Sequence, residues 1–145
     1  MNVFIEGEAG SKIRYRYDER TLAPEGSREL RAERPYAYGF VPGTATARDD
    51  ALDVWVVPGT GLAHGTSAEC RILDVFMFRE GDELEAKLVA TELAEMGGVG
   101  EDARKRIEAY LVEVFKEWPE LRVAAGPLEG KERAIAILRE RGIDG

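Results

Sequence analysis

The sequence is short of the residues that most often announce a chemistry. It has one cysteine and one histidine in 145 residues. A lone thiol, Cys70, excludes an internal disulfide and fits a reducing compartment. Cys70 lies in an apolar strand pattern with no histidine partner suggested by the sequence, so it reads as a packing residue and not as a nucleophile. His64 stands alone in a glycine-rich turn and reads as a surface residue rather than a metal ligand. Long apolar runs are also missing. No window approaches the ~20 residues of a membrane-spanning helix, and the N-terminus lacks the charged-then-apolar pattern of a secretory signal. A cytoplasmic protein with no membrane partner is therefore expected. Positive charge is in deficit, with 20 basic against 28 acidic residues and a formal net charge of -8. That balance opposes nucleic acid as a partner unless a basic patch is concealed on one face. An acidic chain that handles an anion then needs local positive charge or a metal.

What is present suffices for one ordinary domain over residues 1–145, with 44% hydrophobic content and roughly 70% of its unfolded surface buried. Asn2 to Glu6 and Lys12 to Tyr17 read as strands, the second with Ile13, Tyr15 and Tyr17 on one face and Lys12, Arg14 and Arg16 on the other. Pro24-Glu25-Gly26 reads as a turn, followed by a charged segment from Arg28 to Arg34 with weak alternation. Asp53 to Val57 is a strand bracketed by Pro42-Gly43 and Pro58-Gly59. Glu69 to Phe78 is the most apolar strand, turned at Arg79 to Asp82, with Leu84 to Ala90 returning as its hairpin partner. Short strands joined by Gly and Pro turns predict a small barrel or sandwich.

The period then changes. From Glu101 to Glu117, Ile107, Tyr110, Leu111, Val114, Phe115 and Trp118 recur at three and four, with Glu101 and Asp102 in the first turn and Pro119 as a stop. Leu121 to Ala125 is a last strand, and Gly130 to Arg141 a second helix closed by Gly142. Trp55, Trp118 and the helix aromatics read as core or subunit contacts. Gly97 to Gly100 looks like an anion-binding turn but lacks a following lysine with serine or threonine, so a hinge or a helix start is the simpler reading.

The chain is organised around Tyr36 to Val57. Asp49, Asp50 and Asp53 crowd between a turn-rich segment and an apolar strand. Crowded carboxylates are relieved by solvent, by protonation or by a hard divalent cation. Tyr36-Ala37-Tyr38-Gly39-Phe40-Val41-Pro42-Gly43-Thr44, a spacer, then Asp50-x-x-Asp53-Val54 resembles the core signature of the soluble, family I inorganic pyrophosphatases, which read D-x-D-P-x-D there. The departure is plain, since Arg48, Asp50, Ala51 and Asp53 stand where the family has Asp, Asp, Pro and Asp.

The resemblance spans essentially the whole chain. It implies an α+β, mainly β fold, a five-stranded OB-like barrel with two C-terminal helices. It also implies a Mg²⁺-dependent hydrolysis of pyrophosphate and, by analogy, a homo-oligomer, often a hexamer. Carried over position by position, it gives Asp50 as the candidate base and Asp53, Glu85 and Glu6 as metal ligands, with Asp49 able to stand in for the lost aspartate. Arg14, Arg28, Tyr38, Lys87 and Lys116 become phosphate-binding, Arg31 remaining an alternative to Arg28. Arg48, Arg16 and Phe115 replace family acids and a tyrosine, and a further family aspartate falls at Arg79 or Glu80. An arginine ~4 Å from a divalent ion would be repelled by roughly 8 kcal/mol at an effective dielectric of 20. Arg48 must therefore turn away or replace a metal as a phosphate-binding group. Three readings stay open: a working metal-dependent diphosphatase, a catalytically degenerate relative binding a phosphate compound through arginines and lysines, and an unrelated small barrel binding oligonucleotide or protein.

Overall fold

The computed structural model of the chain describes residues 1–97 and 100–144. In chain order the elements are β1 (Asn2–Gly7), β2 (Ile13–Tyr17), β3 (Pro24–Glu29), β4 (Ala37–Phe40), β5 (Asp53–Val56), β6 (Ser67–Glu80), β7 (Glu83–Glu92), α1 (Glu101–Val114), β8 (Val123–Ala125) and α2 (Lys131–Glu140). Strands β1, β4, β5, β7 and β6 pair in that order, and β6 pairs back onto β1. Five strands thus close on themselves, which removes the free edges that an open sheet would leave. Every pair in the ring is antiparallel except β5 with β7, and β8 adds to β6 outside the ring. The expected barrel is the fold observed.

Strand alternation separates two cores. Val54, Val56 and Leu88 pack with Val3, Ile5 and Val75, together with Ala134, Ile137 and Leu138 of α2. Trp55 and Val89, one residue out of phase, join Phe76 and Phe78 against Ile107, Tyr110, Leu111 and Val114 of α1. Each such side chain taken out of water contributes about 1.5–3 kcal/mol. Cys70 is buried in β6, and burial pushes its thiol up to about 11. No helix is long and apolar enough to cross a membrane among the described residues.

Three sequence expectations change. Pro24-Glu25-Gly26 is not a turn but the start of β3, paired antiparallel with β2. A two-stranded ribbon tolerates proline and glycine on its outer edge. The turn lies earlier, where Asp18 Oδ1 accepts the N–H groups of Arg20 at 2.9 Å and Thr21 at 2.8 Å. Ala37–Phe40, read as part of a turn-rich segment, is the strand β4 between β1 and β5. Gly39 is required there because a Cβ would overlap the Phe4 carbonyl oxygen. The first helix stops at Val114 and tightens into a 3-10 turn over Phe115–Glu117, since the residue before Pro119 disfavours helical geometry. Gly98 and Val99, half of the turn from Gly97 to Gly100, lie outside the described residues.

Candidate active site

One cleft of about 630 Å³ opens between the barrel wall, the β2–β3 hairpin and the end of α1. The barrel supplies part of its acids. Glu6 is next to last in β1, Asp53 opens β5, and Glu85 with Lys87 lies on β7, all lining the cleft together with Tyr38 of β4. Register explains the convergence, because Asp53 is opposite Lys87 in the parallel pair and opposite Phe40 in the antiparallel one. The hairpin supplies cations, Arg14 and Arg16 from β2 and Arg28 from β3. Asp49 and Asp50 reach the cleft from the loop before β5.

Lys87 is the electrostatic centre of the wall. Its Nζ donates to Asp53 Oδ2 at 2.7 Å and reaches Glu85 Oε2 and the Tyr38 hydroxyl at 3.5 Å each. Burial alone would depress the ammonium, but the charges of Asp53 and Glu85 outweigh it and hold Lys87 above the ordinary lysine range. Burial, reinforced by the charge of Asp53, raises the Tyr38 phenol, which stays a neutral donor. Glu6 is pushed up to about 7, first by burial and then by the charge of Asp53, while Arg14 and a hydrogen bond from the Tyr17 backbone oppose the shift. A carboxyl raised in this way is one that a cation would relieve.

The acidic loop is fastened from several sides. Thr44 Oγ1 donates to Val41 O at 2.6 Å and accepts from Leu52 N–H at 2.9 Å. Glu19, in the hairpin turn, accepts the Ala51 N–H on both carboxylate oxygens at 3.2 Å. Arg141, just past α2, donates to Thr44 O at 2.6 Å and Asp50 O at 3.1 Å, with Asp49 at 3.8 Å. Thr46 Oγ1 accepts the N–H groups of Arg48 at 3.2 Å and Asp49 at 2.9 Å. That tight turn leaves Arg48 exposed and off the cleft lining.

Two expected phosphate-binding residues therefore stand away from the cleft. Arg48 is one. Lys116 is the other, exposed in the 3-10 turn and paired with Glu113 at 2.6 Å. Between the alternatives left by the sequence, Arg28 lines the cleft, beside Trp118 at 5.3 Å and ion-paired with Glu117, whereas Arg31 pairs outside it with Glu113 at 3.8 Å. Glu80 lines the cleft and Arg79 does not. Burial and the neighbouring Glu85 charge raise the Glu80 acid.

Sequence reasoning missed Glu19, Arg34 and Arg141. Arg34 is buried, 3% exposed, and donates to the carbonyls of Glu8 and Ile13 beneath the cleft. None of the three belongs to a periodic pattern, and only the paired backbone groups reveal their duties.

The donor set at Glu6, Asp53, Glu85, Asp50 and Asp49 is all oxygen, which suits a hard cation and not a soft one. Among the described residues no three such side chains gather closely around one point. Mg²⁺ asks for no such gathering, since it keeps several waters and uses one or two carboxylates with substrate phosphates. The residues fit that ion.

Comparison with known proteins places the architecture. The family described as Inorganic pyrophosphatase matches residues 3–140. An inorganic pyrophosphatase of Saccharolobus solfataricus is 37% identical over 92 residues, covering 62% of this chain, and that of Nanoarchaeum equitans is 25% identical over 147 residues, covering 94% of this chain and 92% of its own. The chain spans about half the length of two archaeal relatives, 54% of the Saccharolobus protein and 53% of the Sulfolobus acidocaldarius one. The solved inorganic pyrophosphatase of Helicobacter pylori superposes with a TM-score of 0.83 at 23% identity over 97% of this chain and 90% of its own. The Thermus thermophilus structure gives 0.84 at 22% identity over 96% and 87%.

Proposed function

Because the chain belongs to the inorganic pyrophosphatase family, we propose that its cleft hydrolyses inorganic pyrophosphate to two phosphates with Mg²⁺ as cofactor. The supporting observation is that the cleft gathers both signs, with Glu6, Asp53 and Glu85 on the barrel and Arg14, Arg16 and Arg28 on the hairpin, which also lines it with Asp18, Glu19 and Glu25. A phosphoanhydride hydrolase needs both signs, one for a metal and one for phosphate oxygens.

In this reading Arg14, Arg16 and Arg28 bind phosphate oxygens, the guanidinium fork matching them in pairs. Lys87 and Tyr38 hold the phosphoryl group against the barrel wall as fixed donors, Lys87 kept charged by Asp53 and Glu85. Asp50, exposed at the cleft edge, accepts a proton from the attacking water. The water oxygen bonds one phosphorus, the bridging P–O bond breaks, and its electron pair leaves with the second phosphate. Glu6 and Asp53, with Glu85 and Asp49 nearby in the lining, would hold Mg²⁺, which supplies charge neutralisation and activation of water.

The distance of Arg48 from the cleft favours an enzyme over a binder that uses arginine in place of a metal. The experiment is phosphate release from pyrophosphate with and without Mg²⁺. Release only with the ion is expected, and pyrophosphate bound without turnover in its presence would reject the reading. Self-assembly into a homo-oligomer belongs to the same proposal, supported by the exposure of Leu93 and Met96, and is tested by sedimentation.

A further inference from the structure

The hairpin that carries four cleft arginines, Arg14, Arg16, Arg20 and Arg28, shares no backbone ladder with the barrel among the described residues. Something other than sheet pairing must hold it at the cleft. One side chain that bridges the gap is the only histidine in the sequence, one that composition alone reads as a surface residue.

His64 stands on the barrel. Its loop is pinned to β1 by Gly65 N–H to Ile5 O at 2.8 Å and Ile5 N–H to Thr66 O at 2.9 Å. Its own N–H donates to Glu8 Oε2 at 3.0 Å. From this base the imidazole reaches the hairpin twice. Nδ1 is 2.7 Å from the Tyr17 hydroxyl, and the ring lies flat on Tyr15, with centroids 3.5 Å apart and planes within 5°. The approach is close enough to require glycine next door, since a Cβ on Gly65, whose φ is +80°, would stand 2.9 Å from the Tyr17 oxygen.

Both tyrosines alternate along β2 with the cleft arginines, Tyr15 between Arg14 and Arg16 and Tyr17 after them. In a strand, fixing one face fixes the direction of the other. Tyr17 also acts on the barrel side of the cleft, where its backbone supports the Glu6 carboxylate with a hydrogen bond. Phe4 of β1 meets its ring edge to face at 4.9 Å.

We infer that His64 is a positioning residue: anchored on the barrel, it clasps Tyr15 and Tyr17 and thereby sets where Arg14 and Arg16 stand in the cleft. His64 does not itself line the cleft, which it meets only through Tyr17. Its loss frees the hairpin without removing any group that would meet substrate, so binding of pyrophosphate weakens while the chemical step is nearly unchanged. The kinetic half of this inference rests on the activity proposed above; the mechanical half does not.

The test compares wild type, His64→Phe, Tyr17→Phe and the double variant in the full chain. His64→Phe keeps a flat ring on Tyr15 and removes the bond to Tyr17 together with the longer Nε2 contact to Glu8 at 3.9 Å, and Tyr17→Phe keeps the contact with Phe4. Hydrogen exchange at the amides of β2 and β3 is expected to rise about fivefold in each single variant, with β5 and β7 unchanged, and no further in the double variant, since one bond is lost in all three. KM for pyrophosphate should rise by about the same factor with kcat within about twofold. His64→Asn, which can return a hydrogen-bonding atom near the Nδ1 position, should recover part of both changes relative to His64→Ala. Unchanged hairpin exchange, additive effects in the double variant, or faster exchange with KM unmoved would each overturn the inference. Faster exchange in a chain that releases no phosphate would keep the clasp and overturn only the proposed activity.

Discussion

The barrel and the β2–β3 hairpin solve the same problem in opposite ways. Barrel strands bury continuous apolar surface, Val3, Ile5, Val54, Val75 and Leu88 being fully inaccessible, and their backbone groups are paired around a closed ring. Every residue of β3 is exposed, and the hairpin is held by individual side-chain links: His64 to Tyr17, Glu19 to Ala51, Arg28 to Glu117. The site lies where the two meet. Glu6, Asp53 and Glu85 are on the wall, and Arg14, Arg16 and Arg28 are on the arm. Rigidity here is a property of the element, not of the residue type.

Substitutions on each side should therefore read out differently, and the largest effect belongs to the wall. Asp53→Asn removes a charge that Lys87 shares and that a metal would need, so Mg²⁺-dependent phosphate release should fall about a thousandfold. A fall below tenfold would place the metal-binding role elsewhere. Leu88→Ala tests the wall as structure, with a loss of about 3 kcal/mol by chemical denaturation expected from its buried position. A loss under 1 kcal/mol would mean that the ring is as forgiving as the hairpin.

Glu6 offers a test by pH. Its acid rises from an ordinary value of 4.5 to about 7 in the folded chain. The folded state then binds the proton more tightly than the unfolded one, so this contribution is fully present below pH 4.5 and is lost as pH rises to about 7. Allowing for its partial exposure, about 2 kcal/mol is at stake. Glu6→Gln should flatten the pH dependence of metal-free unfolding over that window, and an unchanged slope would mean that another group carries it. On the arm, Arg14→Ala should raise KM about tenfold with little change in kcat. Arg48→Asp should alter phosphate release less than twofold, because the side chain is off the cleft. A strong rise would show that Arg48 enters the site in solution.

Patterning made the ring legible, because β5 and β7 are apolar runs buried on both faces, β6 alternates over part of its length, and α1 repeats at three and four. The acidic side of the site was legible for a different reason, since Asp53, Glu85 and Lys87 were carried over position by position from the family resemblance. The hairpin was harder to see. Pro24 and Gly26 carry turn chemistry into an exposed strand, and the actual turn is set by Asp18 and by Leu22 at a positive φ of 63°, which composition does not signal. Arg48 and Lys116 show the same limit, because one Thr46 hydroxyl and one ion pair with Glu113 decide where their side chains go. Such local bonds leave no period. The contacts of His64 left no trace in the sequence because its partners are 47 and 49 residues away.

Cys70 gives the ring a reporter of its own. It lies in β6 opposite Glu92 of β7, 1% exposed, and its raised pKa keeps the reactive thiolate scarce. A thiol reagent can reach it only when β6 parts from its neighbours, so the labelling rate of this single sulfur counts barrel openings in an unmodified chain. Hairpin movement leaves that count untouched, which makes the sulfur a clock for one half of the molecule and a silent witness to the other.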